Sequence, residues 1–160
     1  MIFFDLLHPS PQMKILAVSS HADFLLSELA DFLQPHNGSM DIALYPGEHQ
    51  EVSNTSIARR DTLKDYTSPP RSTSRDYEAV IVQDVLHLHT LPLKFLQLIY
   101  RSMENSAEVI IVQKKGVMET SDVEALLEQS EFRAPNSIDD LIEGYDVIVA
   151  KKMHMWGAGL

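Results

Sequence analysis

Cysteine is absent from this 160-residue chain, which excludes disulfides, thiolate metal sites and a cysteine nucleophile. Long apolar runs are missing as well. None approaches the roughly 20 residues that a bilayer-spanning helix needs, so no integral membrane protein is expected. Basic residues are scarce: 13 Lys and Arg against 23 Asp and Glu leave a formal charge of −10. That balance opposes general affinity for nucleic acid. Arg59, Arg60, Lys64, Arg71 and Arg75 do crowd one polar stretch, which reads as a solvated loop before it reads as a phosphate-binding patch. The opening Met1-Ile2-Phe3-Phe4-Asp5-Leu6-Leu7-His8-Pro9 has no basic n-region, so no signal peptide is read there. A cytoplasmic protein is expected.

What is present is enough apolar material, 44% of residues, for one globular domain with a real core. That domain is placed at 13–153, with terminal arms at 1–12 and 154–160. Strand-like and helix-like runs alternate along it, the pattern of an α/β fold with a mainly parallel sheet. Lys14–Val18 suits a buried strand. From Phe24, Leu25, Leu26, Leu29, Phe32 and Leu33 recur at helical spacing until Gln34-Pro35. Asp41–Tyr45 reads as a second strand ended by Pro46-Gly47. A third is thinly signalled at Thr55–Arg59, and 67–75 reads as a mobile loop around Pro69-Pro70.

Order returns at Tyr77. Glu78–Val82 has the continuous apolar character of a central parallel strand. Leu93, Leu96, Ile99, Tyr100 and Met103 share a helix face behind Pro92. Glu108–Val112 is a β-branched strand, and Ser121-Asp122-Val123-Glu124 matches a capping box opening a helix with Val123, Leu126 and Leu127 inward. Tyr145–Ala150 is the last strand.

The stretch with most to say about function is Met13–Leu26: strand, tight turn, helix. Such turns hold nucleotide-like cofactors, and they normally use glycine so that backbone can approach the ligand. The turn here is Ser19-Ser20-His21-Ala22-Asp23, with no glycine. Asp23 is well placed to cap the helix that follows.

Several of these segments resemble the class I S-adenosylmethionine (SAM) dependent methyltransferases. Arg75-Asp76-Tyr77-Glu78-Ala79-Val80-Ile81-Val82-Gln83-Asp84-Val85-Leu86-His87 is similar to that family's fourth strand and its polar tip. Residues 93–103 resemble the next helix and 108–112 the fifth strand. Leu126–Phe132 and Tyr145–Lys152 resemble the closing helix and final strand. The resemblance implies a Rossmann-like doubly wound sheet sandwiched by helices, with SAM as cofactor. The family's first motif, an acid followed by three alternate glycines, falls on Ala17, Ser19, His21 and Asp23, where none is retained. Its ribose-binding carboxylate falls near Tyr45, with Glu48 the closest substitute, and the acid facing the adenine amine falls on Asp61. By this likeness Ser19, Ser20, His21 and Ala22 would line the methionine end, Tyr45 or Glu48 the ribose and Asp61 the adenine. Asp84 and His87 would lie nearest the transferred methyl. No catalytic base is assigned, because methyl transfer from a sulfonium mostly needs alignment.

Two functions follow as expectations. One is a divergent SAM-dependent methyltransferase-like protein with altered or lost cofactor binding. The other is a non-catalytic protein of that fold, binding a protein partner or another small ligand. His21, Asp84, His87 and His89 form a further constellation at the switch point between the first and fourth strands; it suits a divalent metal or a general base. The simpler reading is that His21 fills old cofactor space while His87 and His89 cap strand and helix ends. Met1–Leu7 and His154-Met155-Trp156 offer apolar arms for a homodimer or a protein partner, with packing on their own domain the plainer use.

Overall fold

The computed structural model describes residues 6–21, 24–49, 55–70 and 76–153. Ala22, Asp23, Arg71, Arg75 and the tail from His154 lie outside them, so the expectations placed there are not addressed. Seven strands form one sheet in the order β3-β2-β1-β4-β5-β7-β6. They are β1 (Lys14–Ser19), β2 (Ser39–Leu44), β3 (Ile57–Thr62), β4 (Tyr77–Gln83), β5 (Met103–Lys114), β6 (Arg133–Ile138) and β7 (Tyr145–Lys151). The first five run parallel, and β7 enters antiparallel between β5 and β6.

Helices cover both faces. Strand alternation sends Ile15 and Ala17 to one side, where Leu26, Leu29 and Leu33 of α1 (Phe24–Leu33) pack on them. Leu16 and Val18 go to the other side, with Phe95 and Ile99 of α2 (Pro92–Ser102) and Val123 and Leu127 of α3 (Thr120–Gln129). Two-sided burial is why β1 and β4 are apolar almost throughout. Leu7 is buried with the α1-side core, so part of the N-terminal arm packs on its own domain.

Local differences from the sequence reading have local causes. The third strand lies at Ile57–Thr62 rather than Thr55–Arg59, because pairing with β2 sets its register. It is an edge strand with alternating burial and Arg59 and Arg60 in it, charges that discourage further pairing. The capping box is not used. Helix α3 starts two residues earlier than that box would place it, with Glu119 as its N-cap and no side-chain cap, so Ser121 lies within the first turn. Met103 leaves the helix for β5, and Ser102 takes the buried position. Strand β6 gave no periodic signal: it holds Pro135, a left-handed Ala134 and a register shift, all tolerated at an edge. The stretch 67–70, read as part of a mobile loop, is anchored, with Ser68 held by Tyr45 and His89.

Candidate functional site

The strand order reverses between β1 and β4, and their carboxyl ends open the crevice where sheets of this kind bind ligands. At the tip of β1, Ser19 is fully buried. Its hydroxyl donates to Gln83 Oε1 at 3.4 Å and accepts the His21 N–H at 2.9 Å. Ser20 donates its hydroxyl to the Asp84 carbonyl at 2.7 Å, tying the β1 and β4 tips together.

Asp84 turns the chain after β4 in a left-handed conformation, φ 54°, which Asp tolerates better than most residues. Its N–H donates to Val112 and its Oδ1 accepts the Lys114 N–H at 3.0 Å, so the β5 tip is held as well. Asp84 is 6% exposed, and its Oδ2 has no hydrogen-bond partner among the described residues. One turn on, Leu88 and His89 donate to the Val85 carbonyl, which carries His87 to the same opening. His87 Nδ1 is likewise buried and unpartnered, and burial holds this imidazole below its usual pKa against the pull of Asp84. The resulting open cleft of about 320 Å³ is lined by Ser20, His21, Glu48, Asp84, His87 and Lys114, with Tyr66 and the Pro46-Gly47 turn on one wall.

Beside this cleft the tips of β2 and β4 are covered by the chain's own side chains. Tyr45, 0% exposed, stacks on Tyr66 with ring centroids 5.2 Å apart and meets His89 edge-on at 5.8 Å. Its hydroxyl donates to the Ser68 carbonyl at 2.5 Å, and burial pushes its pKa far above the usual phenol value. Tyr66 donates to the Pro46 carbonyl. His89 accepts the Leu91 N–H on Nδ1, lies against the Ser68 carbonyl through Nε2 and packs on Phe95. The turn after β2 also closes on β1. A Cβ at Gly47 would lie 1.8 Å from the Ser20 carbonyl oxygen, so only glycine permits the approach.

The fold therefore gathers Ser20, His21, Glu48, Asp84 and His87 into one cleft. Ser19 is buried beneath it. Tyr45 and His89 belong to the aromatic cover and do not line the cleft. Asp61 sits on edge strand β3 and pairs with Arg59 at 2.7 Å, away from the cleft. Among the described residues no three His, Asp or Glu side chains converge as metal ligands. Gly47, Tyr66 and Lys114 were not anticipated. Pro46-Gly47 signalled a turn, but nothing in the sequence signalled what that turn would touch.

No protein-family model and no curated protein matches this sequence. Solved structures match its fold. A SAM-dependent methyltransferase from Aquifex aeolicus superposes with a TM-score of 0.74 at 17% identity, over 95% of this chain and 88% of that one. This is the class I SAM-dependent methyltransferase fold. The CurJ carbon methyltransferase has the same methyltransferase fold, with a TM-score of 0.71 at 13% identity, over 94% of this chain; the match spans about half, 51%, of that longer protein. Human N-acetylserotonin methyltransferase, solved in complex with SAM, matches with a TM-score of 0.63 at 13% identity, over 88% of this chain and 48% of its own. Among the described residues no helix is long and apolar enough to cross a membrane.

Proposed function

We propose that this methyltransferase-fold protein does not hold SAM in the family's manner and acts as a non-catalytic binder of a different small ligand, at the cleft over β1, β4 and β5. The observation that carries this reading is the contact of Gly47 with the Ser20 carbonyl. It joins the two turns between which the family likeness would lay the ribose and methionine of SAM. The neighbouring residues fit SAM no better. The position of the family's first acid is Ala17, fully buried under α1, which offers nothing to an ammonium group. Of the two residues at the ribose position, Tyr45 is committed to Ser68, while Glu48 faces the cleft. Asp61, at the adenine position, is committed to Arg59.

The competing reading, a methyltransferase with a rebuilt pocket, draws on the neighbours' activity. Calorimetric titration with SAM and with S-adenosylhomocysteine separates the two. We expect no binding heat and no rise in melting temperature from either compound. Micromolar binding, which stabilises the folded state by mass action, would restore the methyltransferase reading.

A further inference from the structure

Asn37-Gly38 is the only Asn-Gly pair in the chain, and it lies outside the cleft. It follows α1 and the short 3-10 helix Gln34–His36, and Asn37 takes a left-handed conformation there, φ 53° and ψ 30°. Two bonds close the turn in the paired pattern common at helix C-termini. Asn37 N–H donates to the Gln34 carbonyl at 3.1 Å, and Gly38 N–H to the Leu33 carbonyl at 3.0 Å. The flanking backbone is tied to the segment before β1: Gln12 N–H donates to His36 at 2.7 Å, and Ser39 N–H to Met13 at 2.9 Å. Asn37 is exposed, while Gly38 is buried. A Cβ at Gly38 would stand 2.8 Å from Leu33 Cδ2 and 3.0 Å from the Met13 carbonyl oxygen, so this backbone has no room to pivot.

An exposed Asn followed by Gly is set for an internal reaction, because no Cβ on the second residue shields its nitrogen. The ring that forms requires Asn37 Cβ and Gly38 N to be nearly eclipsed about the Asn37 Cα–C bond. At ψ 30° the nitrogen of Asn37 lies nearest Gly38 N in that projection, and the side chain is turned away. The attacking N–H is also engaged by Leu33. We propose that Asn37 is a deamidation site that this turn holds shut and unfolding opens. In the open chain Gly38 N bonds to Asn37 Cγ, the bond from Cγ to the amide nitrogen breaks, and ammonia leaves with the proton from Gly38 N. Water then opens the imide at either carbonyl, giving aspartate or isoaspartate. Isoaspartate routes the main chain through Cβ and lengthens it by one atom. Gly38, packed as closely as it is, then cannot return to Leu33, and refolding does not erase the change.

The test is incubation of the full chain at mildly alkaline pH, folded and in guanidinium chloride beyond its unfolding transition. Peptide mass spectrometry follows amide-to-acid conversion at each asparagine. In guanidinium, Asn37 is expected to convert several-fold faster than Asn105 and Asn136, each of which precedes a serine. In the folded protein it should convert at least about tenfold more slowly than in guanidinium, because the reaction tracks the open population. Isoaspartyl protein returned to buffer should melt at least about 3 °C below the unaltered protein. Comparable Asn37 rates in the two states overturn the proposal, as does conversion in guanidinium no faster than at Asn105 and Asn136. Isoaspartyl protein that melts with the unaltered protein overturns the lasting loss of the turn.

Discussion

Gly47 and Ser20 come from turns after different strands, and the backbone of one rests on the carbonyl of the other so closely that a methyl group at Gly47 would stand 1.8 Å from that oxygen. The clashing atom is backbone, so it cannot swing aside as a flexible side chain would. Gly47→Ala is expected to destabilise the protein by about 1–3 kcal/mol, the usual cost of forced displacement in a packed site. Denaturant unfolding measures it, and a loss below about 0.5 kcal/mol, the range of neutral surface changes, would mean that the turns are not held together.

Tyr45 and Tyr66 stack over the β2 and β4 tips, so their contributions should be coupled. A double-mutant cycle with Tyr45→Leu and Tyr66→Leu is expected to return an interaction of about 0.5–1.5 kcal/mol. Strict additivity would show that the aromatic cover is not a unit.

Burial holds His89 below its usual pKa, against the opposing pull of the Ser68 carbonyl and Asp65. A histidine whose folded pKa is lowered binds fewer protons folded than unfolded. Its stabilising contribution is therefore intact above the unfolded value, about 6.5, and is lost as pH falls from there through the folded value. Stability should decline from pH 7 toward pH 5, and His89→Asn, which keeps an acceptor for the Leu91 N–H, should flatten the decline. His87 is lowered in the same direction, so the flattening is partial. Parallel unfolding curves across pH for the variant and the unaltered protein would count against it.

Asp61 pairs with Arg59 on a partly exposed edge strand, the setting in which ion pairs contribute little. Asp61→Asn should change unfolding free energy by less than about 1 kcal/mol, as denaturant unfolding would measure. A loss of several kcal/mol, the size expected for a broken buried pair, would show that the pair is not screened by solvent.

Much of this molecule is legible along the chain. The apolar runs at 14–18, 78–82 and 108–112 have the length and character of buried strands, and the spacing of Leu25, Leu26, Leu29 and Leu33 is that of a helix packed on one side. The alternation of such elements is the pattern of a mainly parallel sheet. His21, Asp84, His87 and His89 read as one constellation because residues that end the first and fourth strands of a doubly wound sheet meet at its switch point; the first three do line the cleft, while His89 belongs to the aromatic cover. Strand β6 was not legible, since an edge strand with a proline and a register shift carries no period-two pattern. Nor was the anchoring of 67–70, whose polar composition resembles a free loop until the Ser68 carbonyl is seen accepting from Tyr45 and lying against His89.

The sequence by itself determined the layered sheet and the missing glycines of the first turn, because burial periodicity and residue identity are local properties. Only the tertiary structure decided what replaced the open crevice. Gly47 reaching Ser20, Tyr66 lying over Tyr45, and Ser20 bonding the Asp84 carbonyl are relations between segments separated by 21 to 64 positions. Those relations depend on where the sheet brings each strand tip, and no local pattern encodes that.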